Sequence, residues 1–545
     1  MNPLASTKYT GRMFMALAVI STILFAAGCG SNNSVVVVPP PGGGFSNSNL
    51  SGTYVFSTSG SDSENEVFLA LAGTLVADGK GGIASGTMDI VDPEVTAPSP
   101  VAQPITGSYK VSVDGRGQAT LTSSVYGTFV LDFVLTSVAN GVASHGLASE
   151  FDKNGTGSGT IDLQTPVTSL SQLQGPYAFS LAGDDVNGNP DFTVGAFTLD
   201  QNGDITVGVQ DFNDFLFPYL QLTIPATTTA VTLGTGTGPG KLVLTTGTFG
   251  TLDFDFYPVD ATHLKLIETT IAPASVLAGD VFTQTGASIP NGPAVFTLGG
   301  LDGNSNPVFV GGVMTSDGTG NFPTGLEDVN DNGDVSSAQL SFSGNLDAAD
   351  SGPTGARVVV NTSGFFPYSN AGVGQWVIYP SSGGLLILES DSTAMTTGSA
   401  FAQTSTTLST SPGYGLNLSA INLADPILGE YPYEEDDIAE FTTTSTDITG
   451  AVDINDQGLT GSESFSGTYP IPIDSTGRGE VTANAFDYYF YVVSPATFLL
   501  LENDQTQTGA GVFEEQSAAQ SQVAAKSHIS MVRPVVRPHA TLRRK

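Results

Sequence analysis

One pattern of residues returns four times along the 545-residue chain, in the same order each time. Its clearest mark is Gly-x-x-x-x-Gln after an apolar stretch: Gly159/Gln164, Gly279/Gln284, Gly398/Gln403 and Gly511/Gln516, with glycine steps of 120, 119 and 113 residues. A second mark is Gly-x-x-Asp, at Gly86/Asp89, Gly208/Asp211, Gly325/Asp328 and Gly450/Asp453. A third is a glycine turn at Gly115-Arg116-Gly117, Gly238-Pro239-Gly240, Gly352 to Gly355 and Gly477-Arg478-Gly479. The fourth is a glutamate closing an apolar strand: Glu150, Glu268, Glu389 and Glu502. A repeat of about 118 residues has the size of a domain, whereas a solenoid unit has roughly 20–50. The chain therefore divides into β repeats at 50–166, 173–286, 290–405 and 410–516.

Inside a repeat the period is two, the signature of strands. Phe192-Thr193-Val194-Gly195-Ala196-Phe197-Thr198-Leu199 runs into the turn Asp200-Gln201-Asn202-Gly203, and Asp204 to Gln210 returns from it. Asp78-Gly79, Asp114-Gly115, Asn202-Gly203 and Asp317-Gly318 read as two-residue hairpin turns of type I′, which need positive φ at both central residues. Runs between turns give about eight strands per repeat, and no helical period appears beyond residue 28. The expected fold is all-β: four tandem antiparallel domains of about eight strands, each an up-and-down barrel. In size and hairpin order they are similar to the lipocalin and avidin class of small barrels, an architectural likeness without a fingerprint. Immunoglobulin-like sandwiches are the alternative, but would need longer crossovers.

Charge is sparse and unevenly placed. Charged residues make up 12% of the chain, and the formal net charge is −36. No acid precedes Asp62 or follows Glu515, so all 52 acids share the middle of the chain with eight cations. Such a body repels nucleic acid and anionic lipid, and attracts cations and basic partners. The tail 517–545 carries six cations and no acid, and reads as a basic disordered segment.

The first residues read as an export signal. Lys8 and Arg12 precede an uncharged run from Met13 to Ala27, too short to span about 30 Å of hydrocarbon but suited to a signal-peptide core. The run ends Leu24-Phe25-Ala26-Ala27-Gly28-Cys29, and Cys29 is the only cysteine. Small residues before a lone cysteine resemble the lipobox of bacterial lipoproteins. That resemblance implies a signal peptide over 1–28, cleavage before Cys29 and acylation of Cys29. Two or more acyl chains make a stable anchor. Gly30 follows the cysteine, where the family's inner-membrane retention signal is Asp, so the resemblance points to the outer membrane or cell surface. Residues 29–49, with Pro39 to Pro41 and Gly42 to Gly44, read as a tether.

Catalytic parts are scarce. A single cysteine and four histidines cannot build a multi-cysteine metal site and offer little for a hydrolase triad. Gly234 to Lys241 looks like a phosphate loop, but Leu242 replaces the required Ser/Thr and the chain continues as strand. Calcium is the one cofactor suggested. Asp328, Asn330, Asn332 and Asp334 place oxygens at alternate positions around Gly333, like the start of a calcium loop, although such residues also serve β-turns. Tyr488 to Tyr491 is an aromatic run that puts rings on both faces of a strand. It makes Tyr488, Tyr489 and Tyr491 candidates for stacking on a sugar or a protein partner. The expected function is that of a lipid-anchored cell-envelope protein, non-enzymatic, either binding an unidentified protein or glycan or purely structural. The alternative is an extracytoplasmic hydrolase or inhibitor acting on polymers, with sites assembled from repeat-borne carboxylates.

Overall fold

The structure is a computed structural model. It describes residues 44–516, apart from 65–66, 93–101, 248, 271–274, 287, 352–355, 367–372, 410–412, 424–431, 472 and 485. Cys29, most of the tether and the basic tail lie outside the described residues.

The chain is all-β, and it meanders. Within each repeat the strands run antiparallel in meander order, interrupted in the second repeat after Phe217–Ile224 and in the third at the short strand Asp334–Val335, which excludes a sandwich with Greek-key crossovers. Strands Ser51–Asp62 to Gly155–Leu163 close into an eight-stranded barrel. Strands Gly413–Asn422 to Gln507–Glu515 close another. The third repeat closes a barrel too, with the short strand Asp334–Val335 as an appendage. Closure explains the first mark of the repeat. Gly159, Gly279, Gly398 and Gly511 sit on the last strand, opposite the first strand at Thr58, Leu181, Leu298 and Leu418. A Cβ on Gly159 would lie 1.7 Å from the Ser57 carbonyl oxygen, so the closing strands admit only hydrogen there.

The second repeat departs from the expectation of four barrels. It forms a nine-stranded sheet that stays open between Phe217–Ile224 and the strand Gly240–Thr246. The sheet slips register at Gln210/Phe212, and Gln221 takes φ +56. The chain then leaves the strand at Pro225, bridges once to Ile205 through Thr227, and pairs with Gly240–Thr246 as the two-residue strand Val231–Thr232. Phe249 plugs the gap, stacked on Phe212 at 4.1 Å and edge-on to Tyr219 at 5.1 Å.

The four interiors are filled rather than hollow. Tyr54, Phe56 and Phe133 fill the first, Phe179, Phe212 and Phe254 the second, and Tyr414, Phe490 and Phe498 the fourth. In the third, Trp376 meets Phe296, Phe342 and Phe365 edge-on at 4.7–5.9 Å. Eight strands leave an interior about wide enough for side chains, and aromatic residues occupy it. The likeness to lipocalins thus extends to strand order and not to an open cavity.

The hairpins differ from type I′. Gly79, Gly115, Gly203 and Gly318 have φ of +73°, +91°, +82° and +79°, but Asp78, Asp114, Asn202 and Asp317 do not join them at positive φ. An aspartate carboxylate holds each loop instead. Asp78 Oδ1 accepts the Lys80 and Gly82 amides at 2.7 and 2.9 Å, and Asp200 Oδ1 accepts those of Asn202 and Asp204 at 2.7 and 3.0 Å. A side-chain acceptor that satisfies two loop amides removes the need for the mirror-image turn.

The described residues belong to one compact unit. Strands such as Phe68–Asp78 and Pro190–Leu199 are buried on both faces. Their inner faces fill a barrel and their outer faces meet another repeat. Val55, Phe68 and Ala72 of the first repeat pack on Tyr257, Val259 and Ile267 of the second. Phe192 and Val194 pack with Val377 and Leu386 of the third. Phe309 and Phe401 of the third, Tyr491 and Leu499 of the fourth, and Val134 and Leu147 of the first share one cluster.

Candidate functional site at the seams between repeats

The Gly-x-x-Asp mark sits on the third strand of each repeat. Alternation turns its aspartate outward, toward the next repeat. Asp211 is fully buried and receives Arg357 of the third repeat through two bonds of 2.8 Å, plus the Tyr379 hydroxyl at 2.5 Å. Asp328 receives Arg478 of the fourth repeat at 2.6 and 2.8 Å, plus the Tyr491 hydroxyl at 2.5 Å. Asp453 receives Arg116 of the first repeat at 2.8 Å. Asp89 receives the Tyr257 hydroxyl of the second at 2.5 Å. The contacts run from first to second, second to third, third to fourth and fourth back to first. They close a ring.

The glutamine mark follows the same circuit. Gln164 donates to the Pro258 carbonyl at 2.8 Å, Gln284 to Ala356 at 2.6 Å, Gln403 to Thr476 and Val492 at 2.8 Å, and Gln516 to Asp114 at 2.8 Å. An asparagine two residues past the aspartate adds a third link. Asn213 donates to the Glu389 carbonyl at 3.0 Å, Asn330 to Glu502 at 3.1 Å and Gln507 at 2.8 Å, and Asn455 to Glu150 at 2.7 Å. These donors satisfy carbonyls that would otherwise be buried without partners.

Each seam is a variant of one design. Arg478 lies in register opposite Tyr491, but Arg116 lies opposite Val134, so the closing seam lacks the tyrosine. At the first seam Pro239 stands where the others have arginine, and Val91 where they have asparagine. Without a guanidinium, burial pushes the Asp89 carboxyl up to about 7, with Asp255 beside it adding to the rise. Burial raises the Tyr379 and Tyr491 hydroxyls well above the usual range, and their aspartate partners reinforce this.

The recurring glutamate faces the other way. Glu150, Glu268, Glu389 and Glu502 continue the inward rows of Ala148, Leu266, Ile387 and Leu500. Each is buried at or near the end of its strand. Burial raises Glu268 to about 8 and the other three well above the carboxylate range. An aspartate three residues past the outward one turns to the inner face, since an odd step reverses the face. Asp214, Asp331 and Asp456 are raised to about 6, first by burial and then by neighbouring carboxylates. The second, third and fourth repeats thus carry a second inward carboxyl, the kind of group paired-carboxylate hydrolysis uses. Yet these acids sit against interiors that are filled with side chains.

Two histidines lie in buried ion clusters. His145 Nδ1 meets Asp162 Oδ1 at 2.6 Å, and Nε2 meets Glu514 Oε2 of the fourth repeat at 3.3 Å. Burial opposes its charge, but Glu514 and Asp162 outweigh that and raise its pKa to about 9. An imidazole held as imidazolium is a poor general base at neutral pH. His263 and Lys265 both meet Asp280 Oδ1, at 2.6 and 2.7 Å, and the Asp280 carboxyl is held well below the usual range despite its burial.

The residues singled out from sequence fall as follows. Asp328 and Asn330 are buried in the third seam, whereas Asn332 and Asp334 are exposed in the turn beyond it. Asn330 Oδ1 accepts the Gly333 amide at 2.9 Å. Among the described residues no group of three or more His, Cys, Asp or Glu is arranged to hold a metal ion. The tyrosines are divided by the strand. Tyr488 packs with the interior of the fourth barrel, Tyr489 lies over the Arg478 guanidinium at 3.9 Å, and Tyr491 reaches Asp328. Arg116, Arg357 and Arg478 were missed by the sequence reading. The signal for two of them stood inside the Gly-Arg-Gly turns.

Among the described residues no helix is long and apolar enough to cross a membrane. No family model and no curated protein matches the chain. Among solved structures, a chain of isotype 1 transferrin binding protein B from serogroup B Neisseria meningitidis aligns with 68% of this chain and 84% of that one, at 10% identity and a TM-score of 0.18. A likeness of that strength carries no argument.

Proposed function

We propose that this is a lipid-anchored envelope protein, held through Cys29, whose four repeats form one rigid, non-enzymatic binding body. The observation that supports this reading is the cyclic order of the seams. Glutamine clamps tie each repeat to the next and the last to the first, joined by buried ion pairs at three seams and by the Tyr257–Asp89 bond at the first. A ring of that kind holds its loops in fixed relation, so a ligand that touches several repeats meets a preorganised surface. The conserved machinery of the repeat is spent on seams and barrel ends, and neither offers a nucleophile with an open approach.

Two measurements test the reading. Labelling of producing cells with a clickable palmitate analogue should mark the wild type and not Cys29→Ser, and the variant should leave the membrane fraction. The intact lipoprotein, mixed with insoluble cell-wall glycans and envelope proteins, should sediment with a ligand without releasing soluble fragments. Fragment release at a sustained rate would overturn the non-enzymatic part.

A further inference from the structure

One seam differs from the others in what it leaves open. Two residues beyond each seam arginine, or beyond Pro239 in the second repeat, a pair of facing side chains lies on the seam side of the strands. In the fourth repeat this pair is Glu480 and Tyr489, with the tyrosine ring over Arg478. The third has Val359 and Val377, fully buried among apolar neighbours that include Leu216 and Leu220. In the second it is Lys241 and Asp255, an ion pair beside Asp89. The first repeat has Gln118 and Asp132, and there a hollow of about 400 Å³ remains. That is within the roughly 300–1,000 Å³ of ligand pockets.

The lining is polar, and its ionisable groups are Lys110, Arg116, Asp132 and Asp453, with Tyr109 beside them. Arg116 forms one wall, its charge already met by Asp114 at 3.1 Å and Asp453 at 2.8 Å. Gln118 Nε2 donates to Asp132 Oδ1 at 2.9 Å across the floor. Asp132 is buried, and burial raises its carboxyl to about 8, so it is mostly protonated at neutral pH and can donate as well as accept. Thr120 and Ser462 add hydroxyls, and Phe151 adds an aromatic ring. Planar amide, carboxyl and guanidinium groups beside a ring suit vicinal hydroxyls and the apolar face of a pyranose. An acidic polymer would meet a strongly negative body.

We infer that the hollow at the closing seam, between Gln118, Thr120 and Asp132 of the first repeat and Ser462 of the fourth, is a binding site for a neutral saccharide. This rests on the binding reading above and names its ligand class. The test is calorimetric titration of the intact lipoprotein in detergent with maltohexaose, cellohexaose and chitohexaose, with polygalacturonate as the acidic comparison. Gln118→Ala removes a planar group, and Thr120→Trp fills the hollow from the outer wall without touching the Arg116 pair. At least one neutral oligosaccharide should bind the wild type, and each variant should weaken it about tenfold or more with the melting temperature unchanged. Binding of no neutral oligosaccharide, or of polygalacturonate alone, would overturn the assignment. Equal binding by wild type and both variants would overturn the hollow while leaving the binding reading intact. Release of new reducing ends would instead overturn the non-enzymatic reading.

Discussion

Cutting the third seam at Asp328 should show how much of this protein's stability belongs to the ring. Asp328 is fully buried and accepts three bonds, two from Arg478 and one from Tyr491. Asp328→Ala strands the Arg478 guanidinium, whose side chain is only 10% exposed, and leaves the Tyr491 hydroxyl without its acceptor. Removing one member of a buried pair costs about 3–5 kcal/mol, mostly because the survivor remains charged and desolvated. Arg478→Met should cost somewhat less, about 2–4 kcal/mol, since Asp328 keeps its bond from the Tyr491 hydroxyl. The double variant removes both charges and should cost far less than the sum, with a coupling of about 2 kcal/mol or more. Asp89→Asn at the first seam is the contrast. No arginine faces Asp89, so its loss of charge should cost under about 1 kcal/mol. Equilibrium unfolding in urea measures this with two probes. Trp376 is the only tryptophan and lies in the core of the third repeat, while far-ultraviolet circular dichroism reports every strand. The two transitions should coincide in the wild type and separate in Asp328→Ala as the third and fourth repeats uncouple. Additive single costs, or an Asp328→Ala penalty no larger than that of Asp89→Asn, would refute the account of the seam.

Stability should fall as pH rises from about 5 to about 8. Glu268, Asp132 and Glu434 are raised to about 8, and Glu150, Glu389 and Glu502 lie higher. An acid whose folded pKa is raised contributes stability that is complete below its unfolded pKa and lost as pH passes through the folded value. The urea midpoint should therefore drop across that window by the equivalent of a few kcal/mol, and a midpoint that rises would exclude the buried neutral acids. Glu389→Gln, which keeps the shape and removes the ionisation, should flatten part of that slope, as parallel urea curves at the two pH limits would show. Gln516→Ala should loosen ring closure by about 1–2 kcal/mol, because it leaves the Asp114 and Leu135 carbonyls without their donor. Hydrogen exchange should then quicken along the seam of first and fourth repeats and nowhere else.

Much of this architecture is legible in the chain itself. Strands and hairpins follow from alternation and from Asp-Gly and Asn-Gly turns, because a strand's side-chain period is fixed by its pleat. The number of repeats follows from marks that return at domain-sized steps. Turn type was misread because a dipeptide does not reveal that Asp78 and Asp200 would each hold two amides. Closure of the second sheet was misread because a slip at Gln210 and a turn at Pro225 leave the alternation of the flanking strands intact.

Alternation assigns each residue a face, but it does not say what covers that face. Asp328 and Asp331 are three apart and equally acidic in the sequence. One meets Arg478 across a seam, and the other lies half-buried on the opposite face of the strand near Asp302 and Asp334. Within the pattern at Asp328 to Asp334, the partner that Asp328 meets stands 150 residues away, at Arg478. Local pattern fixes strands, turns and repeats, since their energies lie within a few residues. That the outward aspartates of the later repeats bind arginines, that Gln516 returns to the first repeat, and that the closing seam keeps a hollow were decided only when three barrels and one open sheet came into contact, because those energies join residues more than a hundred positions apart.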